Sequence, residues 1–266
     1  MTRGATAPVR QAQSKARESL ATLRAAIRTA SKNPAKAKPV HDLRVAIRRF
    51  KQVLRVYAAY FDRARKMRRG LSGLMDLCGE ARNCDIAIEV LDAAGAPAAC
   101  ELKREFKKRR TEATRELAST LKDRRLRSHM NRWPEWLKAE TEPGIALVPP
   151  ELDGEFLQTG AAAARAGAPY SRMHKFRLLV KKTRYASEIL GASAAQIDEL
   201  RALQDRLGAI NDCVTAGDLI GEMKVDAAER RRMKAALNRL AAKRAGEFRA
   251  HWRAHFGRKG VPRRTK

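Results

Sequence analysis

His41, Arg44, Arg48, Lys51 and Arg55 follow one another at steps of three or four residues. At about 100° of rotation per residue they share one arc of a helix, roughly 80° wide. Leu43, Ile47, Phe50, Leu54 and Tyr57 form an apolar stripe centred about 120° away, so the same helix can pack into a core and still present its cations. These residue types suit phosphate. Arginine offers a planar fork that matches phosphate oxygens in pairs, and lysine adds a compact charge for the next group along. Histidine contributes a donor whose protonation a nearby polyanion favours. Residues seven apart lie about 10.5 Å from each other on one helix, so the stripe spans several links of a phosphate chain.

The pattern is written twice. In HKFRLLVKKTRYASEIL, residues 174 to 190, His174, Arg177, Lys181 and Arg184 match His41, Arg44, Arg48 and Lys51 at a constant offset of 133. Arg49 and Lys182 also match, about 80° further round, where they serve equally well as partners for acids between helices. A single basic face is usually only a solvated face. Its recurrence, with a histidine at the same early position, predicts a surface for a long and negative ligand.

The elements that must hold these stripes read as helices throughout. Val9 to Ala30 carries an apolar seam of Leu20, Leu23 and Ile27 with Arg17, Arg24 and Arg28 outside it, and SKNPAKAKPV ends it. Pro39 suits the first turn of the next helix and puts His41 near its N-terminus, where exposed amides and the helix dipole favour an anion. A turn is expected at Phe61 to Arg63, a third helix over Met67 to Gly79, and a break or close-packing point at Gly79 within LMDLCGEARNCDIAIEVL. Ala98 to Leu121 follows, then a less regular stretch from Arg124 to Ala139 in which Trp133 and Trp136 read as packing contacts. TEPGIALVPPE, with three prolines and a glycine, cannot continue a helix. Beyond it come Leu152 to Ala166, a helix started by Pro169 and Ser171, the block LQDRLGAINDCVTAGDLI, and a last long helix over Asp226 to Phe256. That second block aligns with the Gly79 block at an offset of 129, pairing Leu74, Asp76, Gly79 and Cys84 with Leu203, Asp205, Gly208 and Cys213. Asp85, Asp205 and Asp212 are expected to cap helices or pair with interior arginines rather than to catalyse.

No stretch alternates as a strand does, so the fold class is all-α: two helical bundles related by an internal repeat with a pseudo-twofold relation. The expected division is 1–141 for the first repeat, 142–150 for a Pro/Gly linker, 151–256 for the second repeat and 257–266 for a basic tail, the two repeats forming one domain.

The charge narrows the partners. Lys and Arg number 57 against 29 Asp and Glu, a formal net charge of +28, while 44% of the residues are hydrophobic, as in an ordinary globular chain. Nucleic acid, an anionic surface or condensed phosphate would balance such a charge. Cys78, Cys84, Cys100 and Cys213 have no CxxC spacing and no neighbouring histidine cluster, so core thiols are expected and a metal site is not. The first residues lack an apolar signal core, and no window approaches the roughly 18 apolar residues of a membrane span; the expected location is cytoplasmic. Arg104, Lys108 and Arg115 share the outer face of one long helix, and Arg232, Arg239 and Lys243 that of another. These six are secondary candidates for the same surface. No glycine-rich phosphate loop, HExxH or nucleophile elbow is present, and no pair of acids lies on the basic stripe to hold magnesium. The expectation is therefore a binding protein, without catalytic residues, metal or cofactor.

HDLRVAIRRF and LCGEARNCDIAIEVL in the first half, with HKFRLLVKKTRY and LQDRLGAINDC in the second, resemble the CHAD family, the conserved histidine α-helical domain. The likeness runs from about Val9 to Phe256. It implies a pair of four-helix bundles with approximate twofold symmetry, around a basic groove or pore that binds inorganic polyphosphate, and a role in targeting to polyphosphate granules. Carried over by position, the family's histidine and basic residues fall on His41, Arg44, Arg48 and Arg49, and on His174, Arg177, Lys181 and Lys182. The chain departs from the family's Arg-Asp pair after the first glycine, having Arg82 and Asn83. General RNA or DNA binding is the alternative, with weak nucleic-acid binding a secondary expectation; oligomeric state is left open.

Overall fold

The structure, a computed structural model, describes residues 6–138 and 147–257. Among these residues every regular element is helical: α1 Ala7–Lys32, α2 Ala37–Val56, a short 3₁₀ turn at Ala58–Tyr60, α3 Ala64–Gly70, α4 Ser72–Ala93, α5 Glu101–Lys122, α6 Arg124–Asn131, α7 Trp133–Trp136, α8 Gly154–Ala164, α9 Tyr170–Leu190, α10 Ala194–Gly221 and α11 Ala227–Phe256. The first five residues, most of the predicted linker and the tail beyond Gly257 lie outside the described residues.

The chain divides into two compact units, one built from the described residues of Met1–Asp85 and Glu105–Leu147, the other from those of Ile86–Arg104 and Val148–Lys266. In the first, Leu20, Leu23 and Ile27 of α1 and Leu43, Ile47, Phe50 and Leu54 of α2 are all buried, as their spacing predicts. Trp133 closes this core, fully buried with its ring stacked on Phe50 at 5.6 Å. The second unit has an aromatic core: Phe156 of α8, Phe176 of α9, and Phe248, Trp252 and Phe256 of α11, packed with Val180, Leu203 and Leu207. Gly160 lets the Trp252 indole sit directly on the α8 backbone, since a Cβ there would come within 2.0 Å of the ring.

Caps define several starts. Asp153 accepts from the Phe156 amide (2.9 Å) and Asp226 from the Glu229 amide (2.7 Å), each satisfying an amide that the first helical turn leaves open. The α9 helix follows Pro169 with no side-chain cap and ends at Gly191, whose φ of +79° is a left-handed conformation that glycine adopts without a steric cost.

Two expectations are corrected. The helix anticipated over 67–79 is two helices, α3 and α4, and α4 runs unbroken through Gly79 to Ala93, as α10 runs through Gly208. A helical glycine costs only about 1 kcal/mol relative to alanine, less than burying a face of a 22-residue helix returns. Residues 86–104, assigned by sequence to the first half, pack in the second unit. The physical cause is a reciprocal cap: the Glu229 carboxylate accepts the amides of Glu101 (3.4 Å) and Leu102 (3.0 Å), and the Glu101 carboxylate accepts the amide of Asp226 (3.1 Å). Beside it the buried Lys103 ammonium pairs with Asp92 and donates to the Ala96 carbonyl at 2.9 Å.

Candidate anion-binding site

On α2 the apolar stripe holds the helix against its unit, and the basic arc lies at and above the packing boundary. His41, Arg49 and Arg55 are exposed, whereas Arg44, Arg48 and Lys51 are half-buried. Arg44 Nη1 donates to the Met75 carbonyl at 3.4 Å and lies over Gly79, where a Cβ would approach it to 3.0 Å. Gly79 is thus the close-packing point and not the break. Lys51 Nζ donates to Ser72 Oγ at 3.3 Å. Burial lowers the Lys51 pKa, with Arg68 and Arg55 acting in the same direction and Asp76 against them.

His41 has its pKa pushed below the usual histidine value, first by desolvation and then by the charges of Arg82, Arg48 and Lys38; only Asp42 opposes. In the free protein the imidazole therefore favours its neutral form, because it is partly desolvated and sits among cations.

The α9 helix repeats this layout with differences. His174 is exposed, and its Nδ1 lies 2.8 Å from Asn211 Oδ1, while Asn211 Nδ2 donates to Thr215 Oγ1 at 3.2 Å. With the amide oxygen as acceptor, Nδ1 carries the proton and Nε2 is left for another partner. A cavity of about 410 Å³ adjoins this histidine, bounded by Tyr170, Ser171, Asn211, Thr215 and Asp218. Arg177 and Lys181 are half-buried and Lys182 is exposed. Arg177 Nε is shielded from solvent and makes no hydrogen bond among the described residues.

Arg184 leaves the exposed stripe. It is buried, its Nε donates to Gln204 Oε1 at 2.8 Å, its Nη1 pairs with Glu188, and its guanidinium covers the Tyr185 ring at 4.3 Å. This arginine is part of the α9–α10 packing. Arg104, Lys108, Arg115, Arg232, Arg239 and Lys243 are all exposed, and their side chains form no ion pair or hydrogen bond among the described residues.

Arg82 and Asn211 are the residues that reading the stripes alone overlooks. They occupy matching positions at the offset of 129, and each acts on the histidine of its own unit, Arg82 through its charge and Asn211 through a hydrogen bond. The predicted carboxylate–arginine pairing occurs at Asp85, bonded to Arg110 Nε at 2.5 Å with both groups largely buried. All four cysteines are free and buried, and burial pushes the Cys78 thiol up to about 12. Among the described residues, no three His, Cys, Asp or Glu side chains converge as a metal site would require, and no helix is long and apolar enough to cross a membrane.

The arrangement defines an all-helical protein in which arginine and lysine flank a histidine on each of two helices, chemistry suited to holding phosphoryl oxygens. Residues 7–221 match the model of the CHAD domain, and the chain belongs to that family. Its fold is similar to the crystal structure of the CHAD domain from the plant Ricinus communis, with a TM-score of 0.72 and 21% identity over 92% of this chain and 91% of that one. It is also similar to PptA from Streptomyces chartreusis, with a TM-score of 0.64 and 17% identity over 91% of this chain and 95% of that one. A comparison with curated proteins gave no match.

Proposed function

We propose that this protein binds long-chain inorganic polyphosphate without catalysing its breakdown, and that such binding places it at polyphosphate granules. The observation that carries the reading is the paired set of histidine, arginine and lysine residues on α2 and α9, on a chain of net charge +28. Arg44, Arg48, Arg177 and Lys181 supply charge-assisted hydrogen bonds to phosphate oxygens. His41 and His174 add donors, and the exposed Arg49, Arg55 and Lys182 extend each cationic arc. Lys51 lies at the edge of the surface, and Arg184 supports α9 from within. Membership of the CHAD family, with the polyphosphate binding that the resemblance implies, supports the same ligand.

Two separate binding elements on one chain make ligand length the decisive variable. A polymer that engages both gains avidity through effective concentration, whereas a short oligophosphate engages one at a time. Isothermal titration with chains of graded length should show affinity rising with length and then levelling. Equal affinity per molecule for triphosphate and long chains would defeat the reading. Competition with RNA at physiological salt separates it from general nucleic-acid binding, which gains strength from aromatic platforms for bases. The α2 and α9 arcs carry no such aromatic residue. Displacement of polyphosphate by equimolar RNA would favour the nucleic-acid alternative.

A further inference from the structure

Trp136 has surroundings that packing alone does not account for. Arg63 Cζ stands 5.1 Å from the centre of its ring system, Lys66 Nζ 5.4 Å and Arg132 Cζ 5.7 Å. The imidazole of His129 meets the same indole edge-on at 5.5 Å. All these residues belong to the first unit. Arg63, Lys66 and Arg132 are exposed, and none forms an ion pair or side-chain hydrogen bond among the described residues.

Each cation gains a little from the indole face, about 0.5–1 kcal/mol at an exposed site. Yet three like charges gathered on one ring repel one another, because no two are further apart than the sum of their distances to it. The carboxylates nearby do not cancel them. Glu135 is bonded to Lys138 at 2.5 Å, which leaves Asp62. Beside the ring lies a cleft of about 230 Å³, lined by Tyr60, Asp62, Arg63, Glu135, Trp136 and Lys138. That volume is below the roughly 300–1,000 Å³ of sites that enclose drug-sized ligands, and its walls are polar and charged.

We propose that the cations around Trp136 form a second anion site, distinct from the α2 stripe, in which Arg63, Lys66 and Arg132 take a single phosphoryl or diphosphoryl group beside the indole, Arg63 and Trp136 also facing the cleft. The arginines supply paired donors to the anion, the lysine supplies charge, and the anion removes the mutual repulsion of the three. Arrival of the anion draws the cations off the indole, so Trp136 reports binding directly. The inference does not rest on the polyphosphate reading, since a free diphosphate and the terminal group of a polymer present the same chemistry.

The test is intrinsic tryptophan emission of the full chain titrated with inorganic pyrophosphate, with sodium chloride at matched ionic strength as control. A saturable change with one-to-one stoichiometry is expected, and W136F should abolish the change. R63Q/K66Q/R132Q should weaken pyrophosphate binding at least about tenfold with unaltered circular dichroism, as these side chains are solvent-facing. Long-chain polyphosphate applied to R44A/R48A/R177A/K181A then identifies the source: a retained Trp136 response shows that polymer ends enter this site, and its absence restricts the site to free anions. An emission change reproduced by chloride, or wild-type pyrophosphate affinity in the triple variant, would overturn the proposal and leave the chain-length dependence of α2 and α9 untouched.

Discussion

Replacing Arg44, Arg48, Arg177 and Lys181 together by alanine isolates the proposed contacts from the general positive charge of the chain. The variant should keep its helices. None of the four belongs to the buried apolar stripes of α2 or α9, and alanine is the best helix former. The bond from Arg44 to the Met75 carbonyl, at 3.4 Å, is at the weak end of the range. If each of the four neutralises one phosphate and releases its counterion, the dependence of log K on log salt loses about 0.7 per contact, taking single-stranded nucleic acid as the nearest analogue. Four contacts give a slope shallower by about 3. Between about 50 and 200 mM salt the wild type should then lose about 50-fold more affinity than the variant does. The assay is polyphosphate titration by fluorescence anisotropy across that range, with circular dichroism to confirm helicity. A control variant that removes the exposed Lys15, Arg17, Lys32 and Lys36 subtracts the same charge from other surfaces. Equal slope changes in the two variants would mean that polyphosphate reads net charge and not the histidine helices, and the reasoning from duplication would fail.

Binding should tighten as pH falls. The His41 pKa is depressed in the free protein by partial desolvation and by Arg82, Arg48 and Lys38, and a bound polyanion raises it, so complex formation takes up a proton between the free and bound values; the window opens below the ordinary value of 6.5. Calorimetry near pH 6 in buffers of different ionisation enthalpy should reveal that uptake, and H41Q should reduce it; buffer-independent heats from the wild type would contradict the assignment. R184M should lower stability by about 2 kcal/mol, through lost charge-assisted bonds to Glu188 and Gln204, and Tm by about 4–8 °C, while polyphosphate affinity stays within error. Unchanged melting with weakened binding would return Arg184 to the ligand surface. G160A places a methyl within 2.0 Å of Trp252, whose ring is already stacked on Phe256 and edge-on to Phe176, so it should destabilise by about 1–3 kcal/mol despite alanine's better helix propensity. Adding W252L should restore part of that loss; a G160A protein as stable as the wild type would show that the contact relaxes freely.

The residues that sequence reading places well are those fixed by one helix acting alone. Periodicity located α1, α2 and the buried faces of Leu20, Leu23, Ile47 and Phe50, because an apolar stripe has to face a core whatever that core contains. What the sequence leaves open has a different cause: each case depends on a partner elsewhere in the chain. Gly79 reads equally as a break or a close-packing point until Arg44 is seen to occupy the space above it, and 86–104 reads as first-half until Glu229 is seen capping Glu101 from 128 residues away. Arg184 is the instructive case, since its sequence did hold a signal. The residue four positions after Lys51 is Arg55, but four after the matching Arg184 it is Glu188, at helical spacing for an ion pair. That reversal of charge separates a cation left for solvent from one taken inward, and the structure places Arg184 beneath the surface with Glu188 as its partner. The same comparison applies to the histidines. Where position 82 is arginine, position 211 is asparagine, so Arg82 adds a repelling charge to the desolvation of His41, whereas His174 is hydrogen-bonded to Asn211. Two helices alike in pattern thus surround their histidines differently. The proton uptake predicted on binding therefore has its structural cause at His41, and H41Q is the variant that tests it.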